Sequence, residues 1–159
     1  MKAKPYPSWI VAVLVVLLFG HSAPLWGAVS CEEAVRKLNV SLDPRIDEEE
    51  LVLVLRTLNE TRNRRLPARF VTKSRARKLG WEPGEDLWAC GRLKGKSCGG
   101  DSFGNREGRL PRGKRSWREA DLDYKGGRRG PKRIVYSDDG QRWITVDHYR
   151  TFQEAPPCR

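Results

Sequence analysis

The chain has 159 residues and a formal net charge of +11. That length suits a single domain, and neither an internal repeat nor a long disordered run argues otherwise. The charge surplus favours a polyanionic partner, whether nucleic acid, acidic polysaccharide, anionic membrane or an acidic protein, and does not choose among them.

Residues 1–30 read as a targeting segment. Lys2 and Lys4 form a basic start, and Trp9 to Phe19 is an unbroken apolar run. The run suits a signal-peptide core and is short for a spanning helix of about twenty residues. Ala28 and Ser30 supply small residues for cleavage near Ser30, and a retained anchor is the alternative. Cleavage removes two lysines and no acid, so +9 remains. The expected product is exported, extracellular or periplasmic, monomeric, and without stable membrane association.

All four cysteines follow the leader. An even count in an exported chain reads as two disulfides, with three pairings open. The favoured one joins Cys90 to Cys98 across a short loop and Cys31 to Cys158 across the two ends. A zinc site is disfavoured, because the cysteines lack ligand-like spacing and one histidine survives cleavage.

Residues 31–46 are read as an N-terminal extension, with a helical turn or two of uncertain place. Asp47 then opens an amphipathic helix in "EEELVLVLRTLNE", with Leu51, Val54, Leu55 and Leu58 on one face and acids in the first turn. Thr72 is the N-cap of a second helix, which Gly80 ends. Lys73 falls in its first turn, where a cation opposes the helix dipole unless an anion faces it. One more helical turn is expected near Asp86 to Cys90.

Strands follow in "SWREADLD", "KRIVYS" and "QRWITVD", with Asp139-Gly140 as a two-residue hairpin signal. Helices first and strands after give an α+β class, N-terminal helices packed on a C-terminal antiparallel sheet. Alternation puts Ala120, Leu122 and Ile134 under the helices. It turns Glu119 and Asp121 to the open side with Arg133.

His148 is then the one imidazole of the exported chain. Glu119, His148 and the cations Lys73, Arg129 and Arg133 make a kit for RNA cleavage by its own 2′-hydroxyl. Glu119 takes the proton, His148 protonates the departing 5′-oxygen, and the cations hold charge on the phosphorane. That chemistry calls for no metal and no cofactor.

The segments "LPARFVTKSRARKLGW", "GGDSFGNREGRLP", "WREADLDY", "RIVYS" and "DHYRTF" resemble the barnase-type microbial guanyl-specific ribonucleases in order and spacing. The resemblance runs from about Leu66 to Phe152, within a ribonuclease domain expected at 47–159. It implies Glu119 as general base, His148 as general acid, and Lys73, Arg129 and Arg133 as phosphate-binding cations. It implies that Asn105 and Arg106 present backbone N–H groups to guanine and that Glu107 accepts from the base. Phe103 and Tyr149 would border the base, and Asp121 would pair with the arginines. Cleavage would run through a 2′,3′-cyclic phosphate and then hydrolysis.

The family also implies RNA as substrate and a small acidic barstar-like inhibitor as partner. Arg128 stands where the barnase type has an aromatic, and Gly140 replaces a large aromatic. The alternatives are a non-catalytic secreted RNA- or polyanion-binding protein on the same fold, and a toxin used against competing bacteria. Asp123 is expected to be merely solvated.

Overall fold

A computed structural model describes residues 29–159. The leader therefore lies outside the described residues except for Val29 and Ser30. The first helix, α1 (Cys31–Val40), is longer than the turn or two expected. Ser30 caps it, its side chain accepting from the Glu33 N–H. Cys31, Val35 and Leu38 face inward and share one core with Leu42, Ile46 and the second helix, α2 (Glu48–Glu60). The segment before residue 47 is thus packed into the core rather than appended to it.

Helix α2 follows the sequence expectation. Asp47 accepts from Glu50 N, and Leu51, Val54, Leu55 and Leu58 are buried. The three acids of its first turn lie at the positive end of the helix dipole. Truncating Leu55, which is fully buried, to Ala would cost about 2–5 kcal/mol.

A six-stranded sheet comes next, in sequential order: β1 (Phe70–Val71), β2 (Ser97–Ser102), β3 (Trp117–Asp121), β4 (Arg133–Ser137), β5 (Arg142–Thr145) and β6 (Gln153–Glu154). All neighbours are antiparallel except β1 and β2, a short parallel pair. Helix α3 (Lys73–Lys78) leaves β1 directly, and two 3₁₀ turns, Leu87–Ala89 and Gly91–Leu93, precede β2. Thr72 caps α3 through Arg75 N, as expected, and the helical turn expected near Asp86 is the first 3₁₀ turn, which Asp86 caps through Trp88 N.

The sheet sorts its residues by parity. Ala120, Leu122, Ile134, Tyr136, Ile144 and Val146 join the helices in the main core. The opposite face carries Trp117 and Val135, packed with Leu110, and the charged residues of the site. Strand β2 bends where its register slips between Gly99 and Asp101. A Cβ at Gly99 would lie 2.7 Å from Phe70 and 2.8 Å from the Ala120 Cβ, so only glycine lets these strands close.

Three expectations are corrected. Cys31 and Cys158 are bonded as expected, but Cys90 and Cys98 are free thiols. Cys98 is buried on β2 in a second hydrophobic cluster with Val71, Ala76 and Leu93, and Cys90 Sγ hydrogen-bonds the Leu79 carbonyl instead. Burial raises the Cys98 thiol to about 11. The β4–β5 hairpin closes with Ser137 N donating to Gln141 O, which leaves three residues in the loop, with Gly140 at φ 100° in the third. Asp123 is not simply solvated. It leaves the strand at φ 58°, accepts from Asp47 N and pairs with Lys132 at 2.6 Å.

Candidate active site

Helix α3, strands β2, β3 and β4, and the loops before β4 and after β5 bring polar side chains together at the open face of the sheet. From α3 comes Lys73, whose Nζ donates to Glu119 Oε1 at 2.8 Å. The helix end that this lysine should have weakened is neutralised locally. Asp101, placed by the β2 bulge, takes the Lys73 N–H with both carboxylate oxygens at 3.1 and 3.0 Å. From the loop after β5 comes Tyr149, whose hydroxyl donates to Glu119 Oε2 at 2.7 Å. Both oxygens of Glu119 are therefore occupied, and the residue is 8% exposed.

Burial pushes the Glu119 carboxyl up. The hydrogen bonds from Lys73 and Tyr149 and the charges of Lys73 and Arg133 override it, leaving the group below its ordinary value. Tyr149 shifts the other way, to about 12, through burial and then its bond to the carboxylate.

Two residues further along β3, Asp121 gathers the arginines. Arg129 meets it with Nε at 2.5 Å and Nη2 at 2.7 Å. This two-pronged contact suits the planar guanidinium. Arg133, directly across in the β3–β4 register, approaches with Nε at 2.8 Å. Arg129 is raised by its bond to Asp121. Arg133 Nη1 is spent on the carbonyls of Gly130 and Lys132. The Arg133 guanidinium also lies 6.0 Å from the Tyr149 ring centre. Glu119 and Asp121 thus sit under a roof of three cations, which is what stops adjacent carboxylates on one face from repelling each other.

His148 is exposed, its backbone at φ 58° and its N–H donated to Pro131 O. Its ring stacks on Tyr149 at 6.0 Å and 23°. Tyr149 therefore links the imidazole to Glu119, stacked on one and hydrogen-bonded to the other.

Beside this cluster lies a cleft of about 420 Å³ lined by Ser102, Phe103, Gly104, Asn105, Arg106, Glu107, Arg109, Tyr149 and Phe152. Phe103 stacks on Tyr149 at 5.4 Å and 29°. The loop is shaped by Asn105, at φ 40°, whose amide spans it by donating to Leu110 O and accepting from Leu110 N. The N–H groups of Asn105 and Arg106 have no partner among the described residues. Glu107 reaches solvent and pairs with Arg109 at 2.6 Å.

Of the residues singled out in the sequence, Lys73, Glu119, Asp121, Arg129 and Arg133 meet on this face. Phe103, Asn105, Arg106, Glu107 and Tyr149 line the cleft, and His148 stands exposed in the loop after β5, in contact with the cluster through Tyr149. Three contributors were not foreseen there: Asp101, the Tyr149 hydroxyl and Asp147. Asp147 accepts the N–H groups of Arg150 and Thr151, three and four residues on, and its only signal in the sequence is that of an aspartate at the start of a turn. Asp101 has none, because its place depends on the bulge.

A family model described as ribonuclease matches residues 56–156. Over 92 residues the chain is 50% identical to a ribonuclease of Heyndrickxia coagulans, covering 57% of this chain and 84% of that protein. It is equally similar, 50% over 92 residues, to ribonucleases of Bacillus intermedius and Bacillus pumilus, of whose length the match spans 56%. Among solved structures, one of ribonuclease Sa2 with guanosine-2′-cyclophosphate aligns at 40% identity and a TM-score of 0.34, covering 37% of this chain and 64% of that one.

Proposed function

Because the chain belongs to the ribonuclease family, we propose that it is an exported, metal-independent endoribonuclease that cuts RNA on the 3′ side of guanosine. The reading is carried by one observation: Glu119 is held ionised by Lys73 and Tyr149 within a set of fixed cations, with an exposed imidazole stacked on the same tyrosine.

In this reading Glu119 removes the 2′-OH proton and the freed oxygen attacks phosphorus. His148, protonated, gives its proton to the departing 5′-oxygen, which leaves a 2′,3′-cyclic phosphate. Water then opens the ring with the two roles exchanged. Lys73, Arg129 and Arg133 are fixed before reaction and hold the charge that builds on the phosphorane oxygens. An arriving phosphate engages the same cations and adds negative charge beside Glu119. Both effects raise the proton affinity of the carboxylate toward that of an effective base.

Base choice falls to the neighbouring cleft. The free N–H groups of Asn105 and Arg106 suit the guanine O6, and Glu107 suits N1–H and the exocyclic amine. Adenine presents a lone pair at N1, so the same carboxylate would repel it. Phe103 and Tyr149 supply flat apolar surface for the base. The leader and the Cys31–Cys158 bridge support export into an oxidising compartment. The cationic face is complementary to a small acidic inhibitor.

The test is mass analysis of RNA fragments made by the purified protein in excess EDTA. Fragments ending in guanosine 2′,3′-cyclic phosphate, later converted to 3′-phosphate, are expected. Ends at all four bases would refute the guanine reading. Intact RNA, or activity restored only by added magnesium or zinc, would refute the mechanism.

A further inference from the structure

The backbone around the imidazole is strained. His148 and Tyr149 sit consecutively at φ 58° and 67°, a conformation that ordinary side chains rarely adopt. Something must hold both residues there, and the contacts identify it. Thr145, fully buried at the end of β5 and paired across the sheet with Arg133, accepts the Tyr149 N–H on Oγ1 at 3.0 Å. The same hydroxyl donates to Asp147 Oδ1 at 2.9 Å. Asp147 Oδ1 also takes the N–H groups of Arg150 and Thr151, both at 3.0 Å, and its Oδ2 takes the Thr151 hydroxyl at 2.7 Å. His148 and Tyr149 are thus spanned by a carboxylate on one side and a buried hydroxyl on the other.

We propose that Thr145 and Asp147 form a positioning clamp that fixes the His148 ring over Tyr149 and aims the Tyr149 hydroxyl at Glu119. Neither residue touches substrate. They act through the two that do, and the inference rests on the reading of His148 as proton donor.

The clamp joins the loop to the sheet at the phosphate-binding strand, because Thr145 and Arg133 are register partners. One hydroxyl therefore ties the position of the acid to that of a cation. The carboxylate is built to stay ionised. Desolvation opposes this, but the bonds from Thr151, Thr145 and Arg150 bring Asp147 down to about 2.

The test compares Thr145→Val, which keeps the shape and removes the hydroxyl, with Thr145→Ser, which keeps the hydroxyl. Asp147→Asn and the exposed Thr151→Val complete the set. Rates on a guanylyl dinucleotide are normalised to the native fraction, and the His148 ring protons are followed by NMR, assigned by their loss in His148→Ala.

Thr145→Val and Asp147→Asn should lower kcat by about tenfold or more, with a smaller change in KM. Their His148 resonances should leave the position set by the Tyr149 ring current. Thr145→Ser should restore both. Should the stronger variants fail to fold, Thr151→Val, which loses one surface bond, should still lower kcat roughly twofold to fivefold. Unchanged kcat in the folded variants overturns the clamp, as does a fall in kcat with His148 resonances unmoved. Retained activity in His148→Ala would instead overturn the assignment of the acid, so the two failures are distinguishable.

Discussion

Two glutamates lie equally deep in this protein and have been pushed in opposite directions. Glu119 on the open face of the sheet is 8% exposed, and Glu50 in the first turn of α2 is 6% exposed. Each has a cation close by, Lys73 at 2.8 Å and Arg69 at 3.1 Å. Burial raises both carboxyls. At Glu119 the surrounding cations and the Tyr149 hydroxyl reverse the shift. At Glu50 burial prevails. The Asp123 N–H and Arg69 pull it down, but the carboxylates of Asp123 and Asp47 add to the rise. Depth therefore does not decide the charge state of a buried acid here. The sign of the surrounding crowd does.

The largest test of this contrast is activity. Glu119→Gln should cost about 10³-fold in kcat on a guanylyl dinucleotide, whereas Glu50→Gln should leave kcat within about twofold. Comparable losses in both would collapse the distinction. Removing the leading cation comes next. Lys73→Ala should lower kcat/KM by about 10²-fold and move the acid limb of its pH profile upward, because burial then acts on Glu119 with less opposition.

Stability against pH should separate the two by sign. Glu119 has a folded value below its unfolded one, so its contribution is present above pH 4.5 and fades as pH falls through the folded value. Glu50 has a folded value above its unfolded one, so wild type gains stability as pH falls through that raised value toward 4.5. Urea unfolding of wild type against each Gln variant, from pH 7 to 3, should give differences that run in opposite directions. The smallest effect is expected from Asp47→Asn. Asparagine caps a helix as well as aspartate, so stability should change by about 0.5 kcal/mol or less while the midpoint of Glu50 titration falls.

The parts of this architecture that were legible in the sequence are those written in period and parity. The α2 stripe of Leu51, Val54, Leu55 and Leu58 needs only a helical repeat, and β3 needs only alternation to divide Ala120 and Leu122 from Glu119 and Asp121. Helix α1 was less legible, because its short apolar set, Cys31, Ala34, Val35 and Leu38, gains meaning only against α2. Strand β2 was illegible, since "SCGGDS" has poor strand propensity. It forms because Gly99 admits Phe70, Leu66 and Ala120 to the backbone.

The site was legible as a set of residues and not as a set of bonds. Which carboxylate Lys73 would choose, or that Tyr149 would join Glu119 to His148, depends on distances that tertiary packing sets. The same limit explains Cys90 and Cys98. Their spacing permits a bridge, but the cluster around Val71 claims one thiol and the Leu79 carbonyl the other.

The bond between Cys31 and Cys158 spans 127 positions and encloses every residue assigned to the chemistry. Its consequence concerns damage. A protease that cuts any loop inside that ring, including the basic stretches around Arg112 and Arg128, cannot release either piece. Nicked molecules should keep their mass on a non-reducing gel and separate into two fragments only when thiol is added, so an injured copy stays in one piece and has the chance to go on working.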